Sequence, residues 1–243
     1  MKGLLLKKPG DIELTEVPVP RPGKGEVLVK VDNIGLCGSD IHLYHGTYAG
    51  PRKYPLFFGH EWAGRVEDVG PGVSGFNRGD PVTGECALWC GKCFYCQMDR
   101  NLCQHIEKFG ITVDGASREL FLQKSRYLHT VERNIDMSVL SLTEPLTVGC
   151  HGVAKAESAI GALKDKRVLV MGAGTIGLST LMVLKKLALC DHVEVYDPVA
   201  SRMELALELG ANQIADVEFV SGLRRDSSSE SYRGFYSNLT RRR

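Results

Sequence analysis

The chain has 243 residues, and 30 Lys and Arg against 29 Asp and Glu leave a formal charge of +1. Hydrophobic residues make up 43% and charged residues 24%, globular proportions that exclude wholesale disorder, a collagen and a disulfide miniprotein. The near-neutral balance argues against a phosphate-coating nucleic-acid binder, and the length suits one large domain or two modest ones.

The amino-terminal Leu4-Leu5-Leu6 lies between charges and is far too short for a signal-peptide core. The longest apolar segment, Val168 to Leu184, is interrupted by glycines and falls short of the ~20 residues of a membrane span. The chain therefore reads as cytoplasmic, with no membrane partner. Five of its eight cysteines lie between Cys86 and Cys103. In a cytoplasmic chain such clustering points to zinc rather than to disulfides.

From Gly3 to about Leu128 the pattern is one of short strands broken by turns. Glu26-Val27-Leu28-Val29-Lys30-Val31 has strand character. Pro9-Gly10, Pro22-Gly23, Pro71-Gly72 and Arg78-Gly79-Asp80 read as turns. This half predicts an antiparallel barrel or sandwich. Within it, Cys37-Gly38-Ser39-Asp40-Ile41-His42 and Gly59-His60-Glu61 are chemically complementary. A thiolate (Cys37), an imidazole (His60) and a carboxylate (Glu61) suit a zinc ion with one position left for water or substrate. Ser39 and His42 suit a proton path away from such a site. Cys90-x2-Cys93-x2-Cys96-x6-Cys103 has the spacing of a closed, structural four-thiolate zinc site. Cys86 reads as a small core residue.

Past about Ser138 the grain changes, and a domain boundary is expected between residues 140 and 155. Glu144, in Glu144-Pro145-Leu146, is open to two readings: a carboxylate reaching the metal directly or through water, or a helix-capping or salt-bridging residue at the junction. Val168-Leu169-Val170-Met171 is an apolar strand of the buried, parallel kind. A glycine turn follows, then a helix from about Ile176 to Leu189, a strand His192–Tyr196 and a helix Ser201–Leu209 stopped by Gly210. Strand–helix–strand–helix is a parallel α/β unit.

Gly172-Ala173-Gly174-Thr175-Ile176-Gly177 is a G-x-G-x-x-G between strand and helix, and Asp197 closes the next strand twenty residues after Gly177. Gly172 permits the tight turn, Gly174 the approach of a pyrophosphate, and Gly177 close helix packing. Thr175 and Ile176 open the helix whose N–H groups face phosphate. Asp197 suits the adenine-side ribose hydroxyls and favours NAD over NADP, a preference that Arg202 weakens slightly. The segment 218–243 carries six Ser and six Arg from Val220 onward and predicts a disordered, Ser/Arg-rich tail.

Together these residues resemble the zinc-dependent medium-chain dehydrogenase/reductase family. Gly59-His60-Glu61-x2-Gly64-x5-Gly70-x2-Val73 fits that family's zinc signature at every fixed position, and the resemblance runs from about residue 3 to 216. It implies a GroES-like β-barrel domain over residues 1–145 and a partial α/β Rossmann domain over residues 146–217, with the active site in the cleft between them. Cys37, His60 and Glu61 match the catalytic-zinc positions, and Glu144 the fourth, often water-mediated, carboxylate. Ser39 and His42 match the proton relay, and the four clustered cysteines the structural zinc. Glu144-Pro145-Leu146 resembles the sorbitol (L-iditol) and threonine dehydrogenase branch. The implied reaction is hydride transfer from a secondary alcohol, such as a polyol or L-threonine, to NAD. The implied partner is a small-molecule alcohol, and the family is homo-oligomeric, through strands this chain does not supply.

Two departures stand out. The last cysteine spacing is x6 where the family usually has x7. Only two dinucleotide-domain strands are predicted, where a full fold has six. A catalytically inactive zinc-binding fragment is therefore a second expectation, and an interaction protein a third.

Overall fold

The computed structural model describes residues 1–132 and 134–215. The segment 218–243, expected to be disordered, lies outside the described residues. The chain divides into two compact units between Glu144 and Pro145.

The first unit is built on short antiparallel strands. In order it holds β1 (Lys2–Lys8), β2 (Asp11–Glu16), β3 (Glu26–Gly35), α1 (Gly38–Tyr44), β4 (Leu56–Phe57), β5 (Glu61–Val69), β6 (Pro81–Gly84) and β7 (Ala87–Leu88). Then come α2 (Phe94–Met98), β8 (Glu107–Lys108), β9 (Leu120–Lys124), β10 (Leu128–Thr130) and α3 (Met137–Leu140). Five strands pair in the order β10-β6-β5-β3-β9, three as β2-β1-β4, and β7 pairs with β8. All of these pairings are antiparallel, the GroES-like arrangement expected.

Its core is aromatic. Trp62, Phe109 and Phe121 are all but completely buried. Trp62 meets Phe121 edge-on at 4.8 Å between ring centroids, and Phe109 meets Phe121 at 5.0 Å, separations at which ring quadrupoles attract. Val27 and Val29 of β3 and Val66 of β5 complete this layer. The β3–β5 register sets Gly35 opposite Glu61 and Ile34 opposite Trp62. A Cβ at Gly35 would lie 2.6 Å from Glu61 Oε2. The glycine thus leaves room for the carboxylate beside a core tryptophan.

A long helix, α4 (Thr143–Ile160), crosses the division between the units. The sequence pattern does not announce it: Gly149 and Gly152 interrupt it. Pro145 sits in its first turn, where a missing N–H costs little.

The second unit continues with β11 (Arg167–Met171), α5 (Thr175–Lys186), β12 (His192–Tyr196), α6 (Ala200–Glu208) and β13 (Gln213–Ile214). The strands are parallel, in the order β11-β12-β13. This corrects the expectation of two strands: a third, two residues long, pairs Glu194 with Gln213 and Val195 with Ile214. The helix predicted to reach Leu189 stops at Lys186. Val170, Leu181, Leu184, Val193, Val195 and Ala206 form the core, joined by Val153 of α4. Among the described residues, no helix is long and apolar enough to cross a membrane.

Candidate metal and dinucleotide sites

Cys90, Cys93, Cys96 and Cys103 converge, with their sulfurs all within 4.8 Å of one another. Sγ of Cys96 lies 3.9 Å from that of Cys90 and 3.5 Å from that of Cys93, and the Cys93–Cys103 pair is at 4.0 Å. Four sulfurs bound tetrahedrally to zinc at about 2.3 Å sit about 3.8 Å apart, so the donor set fits that ion. The shortened last spacing is absorbed locally. Asp99 accepts a hydrogen bond from the Asn101 N–H at 2.9 Å, and a 3-10 turn over Arg100–Leu102 returns the chain to Cys103. The backbone N–H of Gln104 leads in drawing the Cys93 thiol down to about 6, whereas burial first, and neighbouring thiols after it, push Cys96 up to about 12. The first thiolate forms readily and the last resists, as expected where several negative charges share a pocket built for a cation.

The mixed set is assembled from distant segments. Cys37 precedes α1, while His60 and Glu61 begin β5, and their ligand atoms lie within 4.8 Å of one another. His60 is 4% exposed and Glu61 7%. Asp40, absent from the sequence-derived set, ties the two segments together. One of its oxygens accepts from the Cys37 N–H at 2.9 Å and the other from the Gly59 N–H at 3.2 Å. In sequence it looks like any acidic residue in a first helical turn. The Asp40 Oδ1 lies 3.9 Å from His60 Nδ1, outside hydrogen-bond range. That ring nitrogen is buried and has no hydrogen-bond partner among the described residues.

Burial lowers the basicity of the His60 imidazole, but hydrogen bonding to Cys37 and the charges of Asp40, Cys37 and Glu144 outweigh it, and the net direction is up. Burial, reinforced by Glu61 and Asp40, likewise raises the Glu144 carboxyl, and burial raises Asp40. Acidic donors crowd around one imidazole, and one of its nitrogens is an orphan. Zinc fits this chemistry: a thiolate, an imidazole and carboxylates around a single cation.

Glu144 lies in the first turn of α4 and belongs to the first unit. Its carboxylate comes within 4.8 Å of a His60 nitrogen and of Cys86 Sγ. Cys86 is half-buried, and burial followed by the charge of Glu144 pushes its thiol up to about 12. The reading of Cys86 as a plain core residue overlooked this neighbourhood, because nothing in the spacing links it to His60.

Ser39 Oγ lies 3.5 Å from His60 Nε2. Ser39 and His42, three residues apart in α1, are neighbours on one helix face. The His42 Nδ1 pairs with Thr47 Oγ1 at 2.8 Å. Ser39 and His42 are both partly exposed.

In the second unit the glycine turn follows β11 and opens α5, whose N-cap is Gly174. Gly172 adopts φ 101°, a left-handed conformation. A Cβ at Gly177 would stand 1.7 Å from the Gly172 carbonyl oxygen, while Gly172 and Gly174 face open space. The two roles thus separate: one glycine for packing, two for a turn that a ligand can approach. Thr175 and Ile176 are exposed in the first turn of α5, where helix N–H groups have no intrahelical acceptor.

Asp197 is more enclosed than a ribose-binding role alone suggests. It is 3% exposed and accepts from Ala173 N–H at 2.8 Å and Val199 N–H at 2.9 Å. Arg202 stands 3.6 Å away. Burial raises its carboxyl, but these N–H donors and Arg202 prevail and hold it below its usual range.

The described geometry has known counterparts. Residues 23–133 match the family model described as the alcohol dehydrogenase GroES-like domain. The chain is 37% identical over 213 residues to a sorbitol dehydrogenase of Halalkalibacterium halodurans, covering 87% of this chain and 60% of the relative. It is 37% identical over 218 residues to an L-threonine 3-dehydrogenase of Pyrococcus horikoshii, covering 88% and 61%. A crystal structure of an alcohol dehydrogenase from Escherichia coli CFT073 complexed with NADH superposes with a TM-score of 0.80 at 32% identity, covering 88% of this chain and 62% of that one. The chain spans about 60% of the length of the curated relatives it matches. Residues 23–133, within the antiparallel unit, are thus similar to the alcohol dehydrogenase GroES-like domain, and the chain is similar to sorbitol and threonine dehydrogenases.

Proposed function

We propose that the chain carries the metal and dinucleotide machinery of an NAD-dependent oxidoreductase acting on a secondary alcohol, either a polyol such as sorbitol, L-iditol or xylitol, or L-threonine. One observation carries this reading: a single unit holds both a closed four-thiol set and an open thiol–imidazole–carboxylate set. The first suits a structural ion and the second one that leaves room for substrate. The Glu144-Pro145-Leu146 sequence and the names of the similar proteins support the polyol and threonine branch.

Cys37, His60 and Glu61 would hold the catalytic ion, with Glu144 as a further carboxylate near His60. A zinc ion there supplies Lewis acidity that lowers the pKa of a coordinated alcohol. Asp40 keeps Cys37 and His60 in register by accepting from the backbone beside each. Ser39 Oγ would take the alcohol proton, and His42, one turn along α1, would pass it toward solvent. Gly172 and Gly174 leave a pyrophosphate room, and the first turn of α5 offers it N–H donors. Asp197 disfavours a 2′-phosphate beside it and so favours NAD.

The test is NAD reduction by the full 243-residue chain with sorbitol, xylitol or L-threonine. Turnover that disappears in Cys37→Ala supports the reading. A chain that holds two zinc ions but turns over none of the three fits a second reading, zinc binding without catalysis.

A further inference from the structure

We infer that Cys86 is a metal-binding thiol: with His60 and Glu144 it forms a second donor set that adjoins Cys37, His60 and Glu61 and takes a borderline-soft divalent cation such as zinc or cadmium. The inference rests on the reading above, in which the ion at Cys37 and His60 is real, and adds a ligand to it.

Four observations converge. The ligand atoms of His60, Cys86 and Glu144 lie within 4.8 Å of one another, as do those of Cys37, His60 and Glu61. The shared residue, His60, is 4% exposed and carries a buried Nδ1 without a hydrogen-bond partner among the described residues; an uncompensated buried nitrogen is costly, and a metal ion would compensate it. The Cys86 backbone is held firmly. Its carbonyl accepts from the Phe109 N–H at 2.9 Å, and the next residue, Ala87, opens the β7–β8 pairing. Among the described residues, the hydrogen-bond contact of the Cys86 thiol is a long one, 3.9 Å to the Phe109 carbonyl oxygen, so coordination would displace nothing strong.

Thiolate plus imidazole plus carboxylate is a set that selects zinc or cadmium over magnesium or calcium. Binding converts the Cys86 thiol to a thiolate and releases its proton to solvent. With a second thiol beside it, an ion on His60 is held by softer donors than the Cys37, His60 and Glu61 set alone provides.

Cadmium-113 NMR of the full chain loaded with cadmium tests this. Two resonances are expected, one from the four-cysteine lobe and one from the mixed centre. In Cys86→Ser the mixed-centre resonance should move toward the nitrogen- and oxygen-ligand end of the range, with the lobe resonance unmoved as a control for folding. Cadmium retention against a chelator should also fall on the order of 10-fold or more. A mixed-centre resonance that stays in place in Cys86→Ser overturns the inference. If the serine variant loses the lobe resonance and so fails to fold, Cys86→Ala is measured by the same two criteria. Cys37→Ser separates the two claims. A resonance that moves in Cys37→Ser but not in Cys86→Ser leaves the proposed function standing and removes Cys86. The converse keeps Cys86 as a ligand and removes Cys37.

Discussion

The four-cysteine lobe and the mixed centre around His60 illustrate two ways of building a metal site. The lobe draws all its donors from one stretch, Cys90 to Cys103, and two short turns bring them together. The mixed centre gathers donors from before α1, from the start of β5, from the approach to β7 and from α4, and depends on strand register and on Asp40 to align them. A local site organises the chain around its ion. A distributed site is organised by the fold before any ion arrives.

That contrast can be broken or sharpened in order of expected effect. The largest effect belongs to the lobe. Cys103→Ser should reduce bound zinc from about two to about one per chain and unfold the segment 90–103, since a structural zinc contributes on the order of 10 kcal/mol of apparent binding free energy. Metal analysis with limited proteolysis reads both, and an intact segment lacking its zinc would contradict the claim that the ion organises it. Cys37→Ala should weaken zinc binding at the mixed centre alone but leave the lobe zinc in place and the melting temperature of the first unit nearly unchanged, together with abolished turnover wherever turnover is found. Collapse of the unit in that variant would show that the ion, not the sheet, builds the distributed site.

Asp40→Asn should lie between these. It retains one acceptor where two backbone N–H groups converge, and metal affinity at the mixed centre should fall by about 10- to 100-fold. Chelator competition measures it, and lobe zinc should be unaffected.

A pH series adds a sign. The folded-state pKa values of His60, Asp40 and Glu144 are all raised. Each therefore gives the metal-free unit stability that is complete below the unfolded-state pKa and is lost as pH rises through the folded-state value. The metal-free unit should weaken from the carboxylate range up through the raised His60 value, above about 6.5. Zinc binding runs the other way, because it displaces protons from its ligands. Melting curves of chelated and zinc-loaded chains should diverge as pH rises; parallel curves would deny that these groups face a common cation. The smallest effect is expected in the second unit. Asp197→Ala should narrow the preference for NAD over NADP, measured as the ratio of dissociation constants, and an unchanged ratio would remove Asp197 from cofactor selection.

What could be read from the amino acids follows the same division. The lobe was legible because its four ligands fall within fourteen residues, and the glycine turn because strand, turn, helix and Asp197 follow one another along the chain. The pairing of Gly35 with Glu61 was not, since register between strands depends on which faces find the core. Asp40 was hidden by its resemblance to an ordinary helix-start residue. Cys86 was hidden because its neighbours, His60 and Glu144, are 26 and 58 positions away. The strand β13 escaped because two residues carry no period, and α4 because its proline and glycines disguise a helix held by packing.

The position of Asp197 has a consequence for protein engineering. Its carboxylate accepts the N–H of Ala173, inside the glycine turn, while standing beside Arg202. If Asp197 selects the cofactor as proposed, cofactor choice and the shape of the phosphate cradle are written into one side chain. A designer who replaces it to admit NADP also leaves a buried amide in the cradle without its acceptor. A successful swap needs a small polar residue that restores that acceptor, with the new positive charge supplied from elsewhere on α6.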